Sequence, residues 1–236
     1  LLFLGLGGTS QAAEYWLRAE TIAKNMPDGA VITMWGFANC TDGTYTACGA
    51  ATVPGPELNV PVGETTLTVN LRNNLTGPYT EPVSIIIPGQ QTALAPVMQD
   101  TDGSGRMRVT SFVAETAVGN TGVYQWTNIK AGTYLYQSGT HPALQVQMGL
   151  YGAMTHDAAA GQAYGASTAF AASATLLFSE IDPLLHISVA SGDYGPGMGM
   201  TSTMHYEPKY FLINGEAHSA SAPITLTAGT AGSTTL

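Results

Sequence analysis

The chain has 236 residues, enough for one large or two modest domains, and 44% of them are hydrophobic, which is sufficient for a packed core. Only 10% are charged and the net charge is -9 at pH 7, so the composition offers no basic surface that would gather phosphates. We therefore expect a folded protein that does not bind nucleic acid. Its 28 glycines and 13 prolines favour short strands joined by many turns.

The chain opens with an apolar run, LLFLGLGGTSQAAEYW, that ends in small residues. Ser10 and Ala12 fit the small-residue rule of a signal-peptidase site, so residues 1–13 are interpreted as the remnant of an export signal. The alternatives are a short buried strand or a membrane anchor, although the run is too short to span a bilayer. The prediction is an exported protein without a membrane span.

Strand-like segments follow one another from Glu14 onward, and Gly, Pro and Asp turn sequences separate them. No segment sustains a helical period over three turns. The pattern predicts an all-β chain, an antiparallel sandwich of about eight strands with Greek-key connections. The segments are EYWLRAETIA, VITMWGF, TTLTVNLRNN, PVSIII, RMRVTSFVAE, VYQWTNI, TYLYQS and MGLYGAM.

Both cysteines fall in one loop, GFANCTDGTYTACGAA. A turn built from Asp42 and Gly43 would bring Cys40 and Cys48 together. In an exported protein this spacing favours a local disulfide, with a two-thiolate metal site as the alternative.

Two further segments share the pattern of a known family. PGPELNVPVGETTLTVNLRNNL places proline and glycine before a strand and an Asn-rich turn after it, and PVSIIIPG follows. Both resemble the first domain of bacterial multicopper oxidases, a domain with the cupredoxin fold. In that family the PVSIIIPG strand carries a His-x-His-Gly motif whose two imidazoles point at a trinuclear copper cluster. Ile86 and Pro88 occupy the two histidine positions here.

The stretch GTYLYQSGTHPALQVQMGLYGA, residues 132–153, resembles the closing hairpin of the same domain. Tyr134 and Tyr136 alternate along its first strand. In the family this strand usually reads Tyr-His-Ser-His, and the two imidazoles bind copper. Gln137 and Gly139 stand at those positions, and neither can coordinate a metal as a neutral imidazole does. Both histidine pairs of a first domain are therefore expected to be replaced.

A blue-copper site needs a cysteine thiolate, two imidazoles and a weak axial methionine. The run from Tyr136 to His141 resembles a Cys-x-x-His loop with Ser138 in place of the sulfur, and Met148 follows slightly late for the axial position. Serine is a far poorer copper ligand than a thiolate. His141 and Met148 are thus candidate metal ligands, and the alternative is a loop that keeps only the shape of the hairpin.

A second candidate metal site lies in the glycine-rich segment GDYGPGMGMTSTMHYEPKY. Thioethers are soft donors that prefer Cu(I), and a methionine cluster can gather that ion. The alternative is that these methionines fill a gap between two domains as adaptable packing residues. The candidate ligands are Met198, Met200, Met204 and His205.

Residues 158–173 are small and uncharged, as in an inter-domain connector. Beyond them TLLFSEIDPLLHISV predicts a strand-like run, and YEPKYFLINGEAH with APITLTAGTAGSTTL resembles the opening of the family's second domain. Roughly sixty residues remain there, whereas a closed sandwich needs about a hundred. We therefore predict a first cupredoxin-like domain at 14–157, a linker at 158–173 and an incomplete second cupredoxin-like domain at 174–236.

The resemblance implies the N-terminal portion of a bacterial multicopper-oxidase-like protein, periplasmic or extracellular, that uses copper to pass electrons to dioxygen. Its partners would be further cupredoxin domains of the same chain, which would supply the copper ligands. This portion alone would be inactive and would hold no catalytic residue. The alternatives are a non-catalytic structural or partner-binding cupredoxin module, and a Cu(I) carrier that uses the methionine-rich segment.

Overall fold

The structure of the protein is a computed structural model that describes residues 12–217. The predictions for residues 1–11, in the expected export signal, and for residues 218–236, at the end of the expected second domain, lie outside the described residues. Strands dominate the described part, with two short α-helices. The elements are β1 (Ala13–Asn25), β2 (Val31–Cys40), β3 (Leu58–Val60), β4 (Thr66–Asn74), β5 (Val97–Gln99), β6 (Arg108–Ser111), β7 (Thr121–Thr127), β8 (Gly132–Gln137), α1 (Pro142–Met148), β9 (Tyr151–His156), β10 (Phe178–Ile181), α2 (Pro183–Ser191), β11 (Tyr210–Ile213) and β12 (Glu216–Ala217).

Two sheets face each other and confirm the predicted β-sandwich. The first has the strand order β2-β1-β4-β7 and the second has the order β3-β9-β8. β1 runs parallel to β4, and β3 runs parallel to β9, so the prediction of an antiparallel sandwich was wrong for these two pairs; the other neighbours within these two sheets are antiparallel. Because parallel neighbours cannot be joined by a tight hairpin, the chain crosses between the sheets.

The alternation of side chains along the strands places the core between the sheets. In β4 the residues Leu67, Val69 and Leu71 are fully buried, and the threonines and asparagines between them are partly exposed. Each such aliphatic side chain contributes roughly 1.5–3 kcal/mol by leaving water. The second sheet faces this layer with Leu58, Val60, Tyr136 and Met154.

The C-terminal segment packs against the outside of the first sheet. β10, β11 and β12 form a three-stranded antiparallel sheet, whose last hairpin turns at Asn214 and Gly215 with φ of 50° and 80°. Positive φ at both central residues is the requirement of a type I′ turn. One face of this sheet shares a second hydrophobic cluster with the first sheet, formed by Met26, Ile32, Met34, Val53, Tyr151, Ile181, Tyr210 and Leu212.

Helices replace two parts of the predicted strands. The expected strand-like run TLLFSEIDPLLHISV is a strand only over β10 and then forms α2, because the Asp182 side chain accepts a hydrogen bond from the Leu184 amide and Pro183 fits the first helical position. The predicted strand MGLYGAM begins at Tyr151, since Met148 ends α1. Gly149 closes that helix with a φ of 119°.

The segment PVSIII does not form a continuous strand. It makes isolated bridges, which pair Val83 with Thr116 and Ile86 with Gln137. The second of these bridges holds the segment alongside the end of β8.

The predicted disulfide between Cys40 and Cys48 is present, and it closes the loop after β2. Within residues 12–217, no helix is long and apolar enough to cross a membrane.

Candidate metal centre

The positions that would carry copper ligands meet across two neighbouring segments. The Ile86 amide donates to the Gln137 carbonyl at 2.8 Å, and the Gln137 amide donates to the Ile86 carbonyl at 3.0 Å. Ile86 and Gln137 are both partly exposed, and Pro88, two residues further along, is exposed. The bridge between Ile86 and Gln137 therefore lies at the surface of the sandwich, and these residues with Pro88 are called the ligand frame below.

Gly139 is buried beneath this frame and has no space for a larger side chain. A Cβ atom added there would lie 2.8 Å from Ile86 Cγ2 and 3.2 Å from Ser84 Oγ. An imidazole at position 139 would thus collide with the Ile86 side chain. Ile, Pro and Gly offer no side-chain donor, and the Gln137 amide is a poor substitute for imidazole. The residues present do not fit a copper site of the family's kind.

A cluster of buried hydroxyl groups lies behind Gly139. Ser84 Oγ accepts hydrogen bonds from the Gly139 amide and from the Thr140 hydroxyl, each at 3.0 Å. The Ser111 hydroxyl lies 3.0 Å from Thr140 Oγ1 and donates to the Val113 carbonyl at 2.7 Å. Ser84, Ser111 and Thr140 therefore hydrogen-bond to each other and to the backbone, as buried polar groups require.

The hydroxyl cluster continues through Gln145 to the partly buried carboxylate of Glu81. Ser138 donates to Gln145 Oε1 at 2.6 Å, and Gln145 Nε2 donates to Glu81 Oε2 at 2.9 Å. Glu81 also accepts from the Tyr79 hydroxyl at 2.5 Å and pairs with His141 Nδ1 at 3.0 Å. These contacts tie the loop before the PVSIII segment to the start of α1.

The hydrogen bonds also decide the charge of Glu81. Burial raises its pKa, but the hydrogen bonds from His141, Gln145 and Tyr79 outweigh burial and leave the pKa below its ordinary value of 4.5. Burial, together with the hydrogen bond to this carboxylate, raises the pKa of Tyr79 far above its ordinary value. Glu81 is therefore ionised and Tyr79 is neutral at physiological pH.

The two candidate ligands from the hairpin are separated in the structure. His141 lies just before α1 with a φ of 38°, and its Nδ1 is engaged by Glu81. Met148 lies at the other end of α1 and is fully buried in the main core. Ser138, the residue in place of the thiolate, is fully buried and bonded to Gln145. The Ser138–His141 loop therefore has a hydroxyl where a blue-copper loop has its thiolate, and that hydroxyl is already bonded to Gln145.

The methionine-rich segment forms a closed surface loop. The Gly195 amide donates to the Met200 carbonyl at 2.8 Å, and the Met200 amide donates to the Asp193 carbonyl at 3.1 Å. Met198 is 50% exposed and Met204 is 87% exposed, whereas Met200 packs against the main core. The loop therefore presents two thioethers to solvent.

An aromatic residue of the methionine-rich segment, Tyr194, lies next to His141. His205 lies in a short 3₁₀ turn and is exposed. The ring of Tyr194, in the methionine-rich loop, lies 6.1 Å from the His141 ring and 5.7 Å from the Tyr79 ring. In residues 12–217 there is no group of three or more His, Cys, Asp or Glu side chains with metal-binding geometry.

Glu81, Gln145 and Tyr79 could not be recognised as a cluster from the sequence. Glu81 precedes a proline and Gln145 follows His141 by one helical turn, so neither shows a motif by itself. The only signal was a lone carboxylate next to an apolar strand, where a charged residue needs a partner. The partners come from a hairpin about sixty residues later in the chain.

Comparisons with known proteins agree with this architecture. A family model described as multicopper oxidase matches residues 37–160. The structure of copper nitrite reductase from Nitrosomonas europaea is similar at a TM-score of 0.55 and 15% identity, over 87% of this chain and 57% of that chain. The multicopper oxidase mgLAC is similar at 0.55 and 17%, over 86% and 53%. A multicopper oxidase from Pseudomonas Thermotolerans is similar at 0.56 and 16%, over 89% and 42%.

At these identities the solved structures show the fold alone, and they confirm the predicted cupredoxin-like sandwich. The chain spans only 42% to 57% of the lengths of these three structures. No curated protein matches the chain.

Proposed function

This chain belongs to the multicopper oxidase family, and we propose that it is the N-terminal portion of an exported bacterial copper oxidoreductase and holds no copper centre itself. Further cupredoxin domains of the same protein would carry the copper sites and the transfer of electrons to dioxygen. The role of this portion would be structural, as a rigid sandwich against which those domains assemble.

The replaced ligand frame carries the proposal. The bridge between Ile86 and Gln137 brings two of the assigned positions together, whereas the Ile86 side chain occupies the space that an imidazole at position 139 would need. Ser84, Ser138 and Thr140 behind it are already hydrogen-bonded. Ordinary packing of hydrophobic and hydroxyl side chains therefore fills this region.

Copper binding by the isolated chain tests the proposal directly. The chain should retain less than stoichiometric Cu(II) after gel filtration, measured by mass spectrometry of the metal, and should show no visible thiolate-to-copper band. Retention of one or more tightly bound coppers per chain would contradict the proposal.

A variant with restored histidines provides the positive arm of this experiment. The changes Ile86→His, Pro88→His, Gln137→His and Gly139→His together should increase Cu(II) retention, with circular dichroism to check the fold. The matched control places four histidines at exposed valines elsewhere, Val31, Val62, Val118 and Val123. If both variants gained copper equally, the frame at Ile86 and Gln137 would have no special geometry.

The complete gene tests the parent activity. An oxidase requires a His-Cys-His motif downstream of this portion, and the complete protein should consume dioxygen with a reducing substrate only when loaded with copper. A complete protein without such a motif would instead be a non-catalytic scaffold built from cupredoxin modules.

Cu(I) carriage is a second candidate function, favoured by the two exposed thioethers of Met198 and Met204. Competition with a chromophoric Cu(I) chelator should show binding that weakens when Met198, Met200 and Met204 are changed to leucine. The control changes Met98 and Met107, which are 43% and 57% exposed, to leucine. Equal Cu(I) affinity in all three proteins would exclude carriage by this loop.

A further inference from the structure

A groove with a volume of about 550 Å³ lies between the hairpin end of the sandwich and the C-terminal sheet. Leu135 and Val146 line one side, and Phe178, Phe211 and Ile213 line the other. Its volume is in the range of roughly 300–1,000 Å³ that is typical of small-molecule sites. The groove shares none of its lining residues with the ligand frame at Ile86 and Gln137.

The strand register explains why the sheet side of the groove is apolar and aromatic. Phe178 lies opposite Ile213, and Glu180 lies opposite Phe211 in the antiparallel pair of β10 and β11. Directly opposed residues project to the same face of a sheet, so these four side chains share one surface. Phe178 is 73% exposed and Phe211 is 64% exposed. Two large rings therefore face water on this face of the sheet, whereas the opposite face is buried in the second hydrophobic cluster.

The groove also carries a negative charge. Among the described residues that line it, Glu180 is the one charged side chain; it lies opposite Phe211 and two residues after Phe178, with the Tyr206 hydroxyl close to its carboxylate. The whole chain carries a net charge of -9. A second copy of the chain on this face would bring two Glu180 carboxylates together, which is unfavourable because like charges repel. A neutral apolar partner is also unfavourable, because it would remove water from the Glu180 carboxylate without supplying an opposite charge.

We propose that this groove binds a lipophilic organic cation, with its apolar rings against Phe178 and Phe211 and its positive charge near the Glu180 carboxylate. Aromatic faces attract cations in addition to the apolar contact that they provide. The groove has no lining residue in common with the ligand frame, and the inference does not depend on the proposed copper function.

A pair of probes with almost the same shape and opposite charge tests the proposal. Tetraphenylphosphonium should bind the chain in equilibrium dialysis or calorimetry, and tetraphenylborate should bind about tenfold more weakly or not at all. The affinity for the cation should fall as salt is added, because part of it is electrostatic. Absence of tetraphenylphosphonium binding, or equal affinity for both probes, would overturn the proposal.

Variants test where the cation binds and separate the electrostatic from the aromatic contribution to its affinity. Glu180→Gln should weaken tetraphenylphosphonium binding about tenfold and reduce the preference over tetraphenylborate. Phe178→Ala and Phe211→Ala should weaken binding of the cation, and both changes should leave the fold intact because the rings are largely exposed. The control Glu115→Gln removes the same charge away from the groove. If it matched Glu180→Gln, the binding would reflect net charge rather than this groove.

Discussion

Tyr136 shows how single residues fix the hairpin beside the ligand frame. Its ring is fully buried, and its hydroxyl donates to the Pro56 carbonyl at 2.8 Å. A Cβ atom at Gly152 would overlap the ring, and one at Gly55 would overlap the hydroxyl. Both glycines are therefore needed for close approach of backbone and ring, rather than for unusual backbone angles.

We predict that Gly152→Ala lowers the free energy of unfolding by about 1–3 kcal/mol, since the added methyl group must displace a fully buried ring. Urea denaturation followed by tryptophan fluorescence measures the change. The control is Gly49→Ala, where the nearest atom to an added Cβ is the Asn39 carbonyl oxygen at an ordinary 3.7 Å. Equal stability of Gly152→Ala and the wild type would show that Tyr136 relaxes freely.

The assignment of Ile86, Pro88, Gln137 and Gly139 to the family's ligand positions rests on the spacing of the residues around them and stays a prediction. The sequence does not show that Ile86 and Gln137 pair with each other, because that pairing depends on a bridge between segments about fifty residues apart.

At the scale of elements, α1 is held by a carboxylate outside the helix. Glu81 accepts hydrogen bonds from Gln145 and Tyr79 and pairs with His141 at the helix start. A helix of seven residues is too short to be stable by propensity. The contacts with Glu81 and the burial of Leu144 and Met148 therefore stabilise it.

Replacement of this carboxylate should reveal a pH-dependent contribution to stability. Glu81→Gln should cost about 1–3 kcal/mol near pH 7, because it weakens a network of buried hydrogen bonds. The folded-state pKa of Glu81 lies below 4.5, so its contribution is complete above about 4.5 and is lost as the pH falls through the folded-state value. Denaturation of both proteins between pH 7 and pH 3 should show the difference shrinking with acid. A constant difference would mean that the carboxylate charge is irrelevant.

The two helices mark the limit of sequence-based prediction at this scale. β4 alternates polar and apolar residues from Thr66 to Arg72, so its strand period was visible. PLLHISVAS is mostly apolar and only nine residues long, and periodicity cannot separate a buried strand from a short helix in such a run. Asp182 before Pro183 was the available signal for a helix start.

At the scale of the whole molecule, α2 joins the C-terminal segment to the first sheet. His186 is 1% exposed and its Nδ1 donates to the Thr33 carbonyl in β2 at 2.7 Å. Asp28, in the turn between β1 and β2, accepts hydrogen bonds from Lys209 and Tyr210. These contacts and the second hydrophobic cluster cover one surface of the sandwich.

Acid should weaken the wild-type protein through His186. Burial lowers its pKa, although the hydrogen bonds to backbone carbonyls and nearby Asp182 act in the opposite direction. The folded protein therefore takes up this proton at lower pH than the unfolded chain, and stability falls as the pH drops below about 6.5. His186→Gln should lose this component, so unfolding free energies at pH 7.5 and pH 5 should differ less in the variant. An equal pH dependence in both proteins would assign the effect to other groups.

The sandwich as a whole was predictable, whereas the groove beside it was not. Strand alternation and turn residues predict two layers of strands, and the spacing of the segments that resemble the family predicts the order of the strands along the chain. The groove arises because Phe178 and Phe211, which are distant in sequence, become diagonal neighbours on one face of β10 and β11, beside α1 and β8. No local pattern encodes that arrangement.

Met26, Ile32 and Met34 form a shared hydrophobic cluster with Tyr210 and Leu212. This cluster also determines where the chain can be shortened without exposing apolar side chains. An expression boundary placed in residues 158–173, where composition suggests a linker, would strip the cover from those side chains. The shortened product would expose a new apolar patch and tend to aggregate. Measurements of metal affinity or ligand binding are therefore best made on material that extends at least through β12.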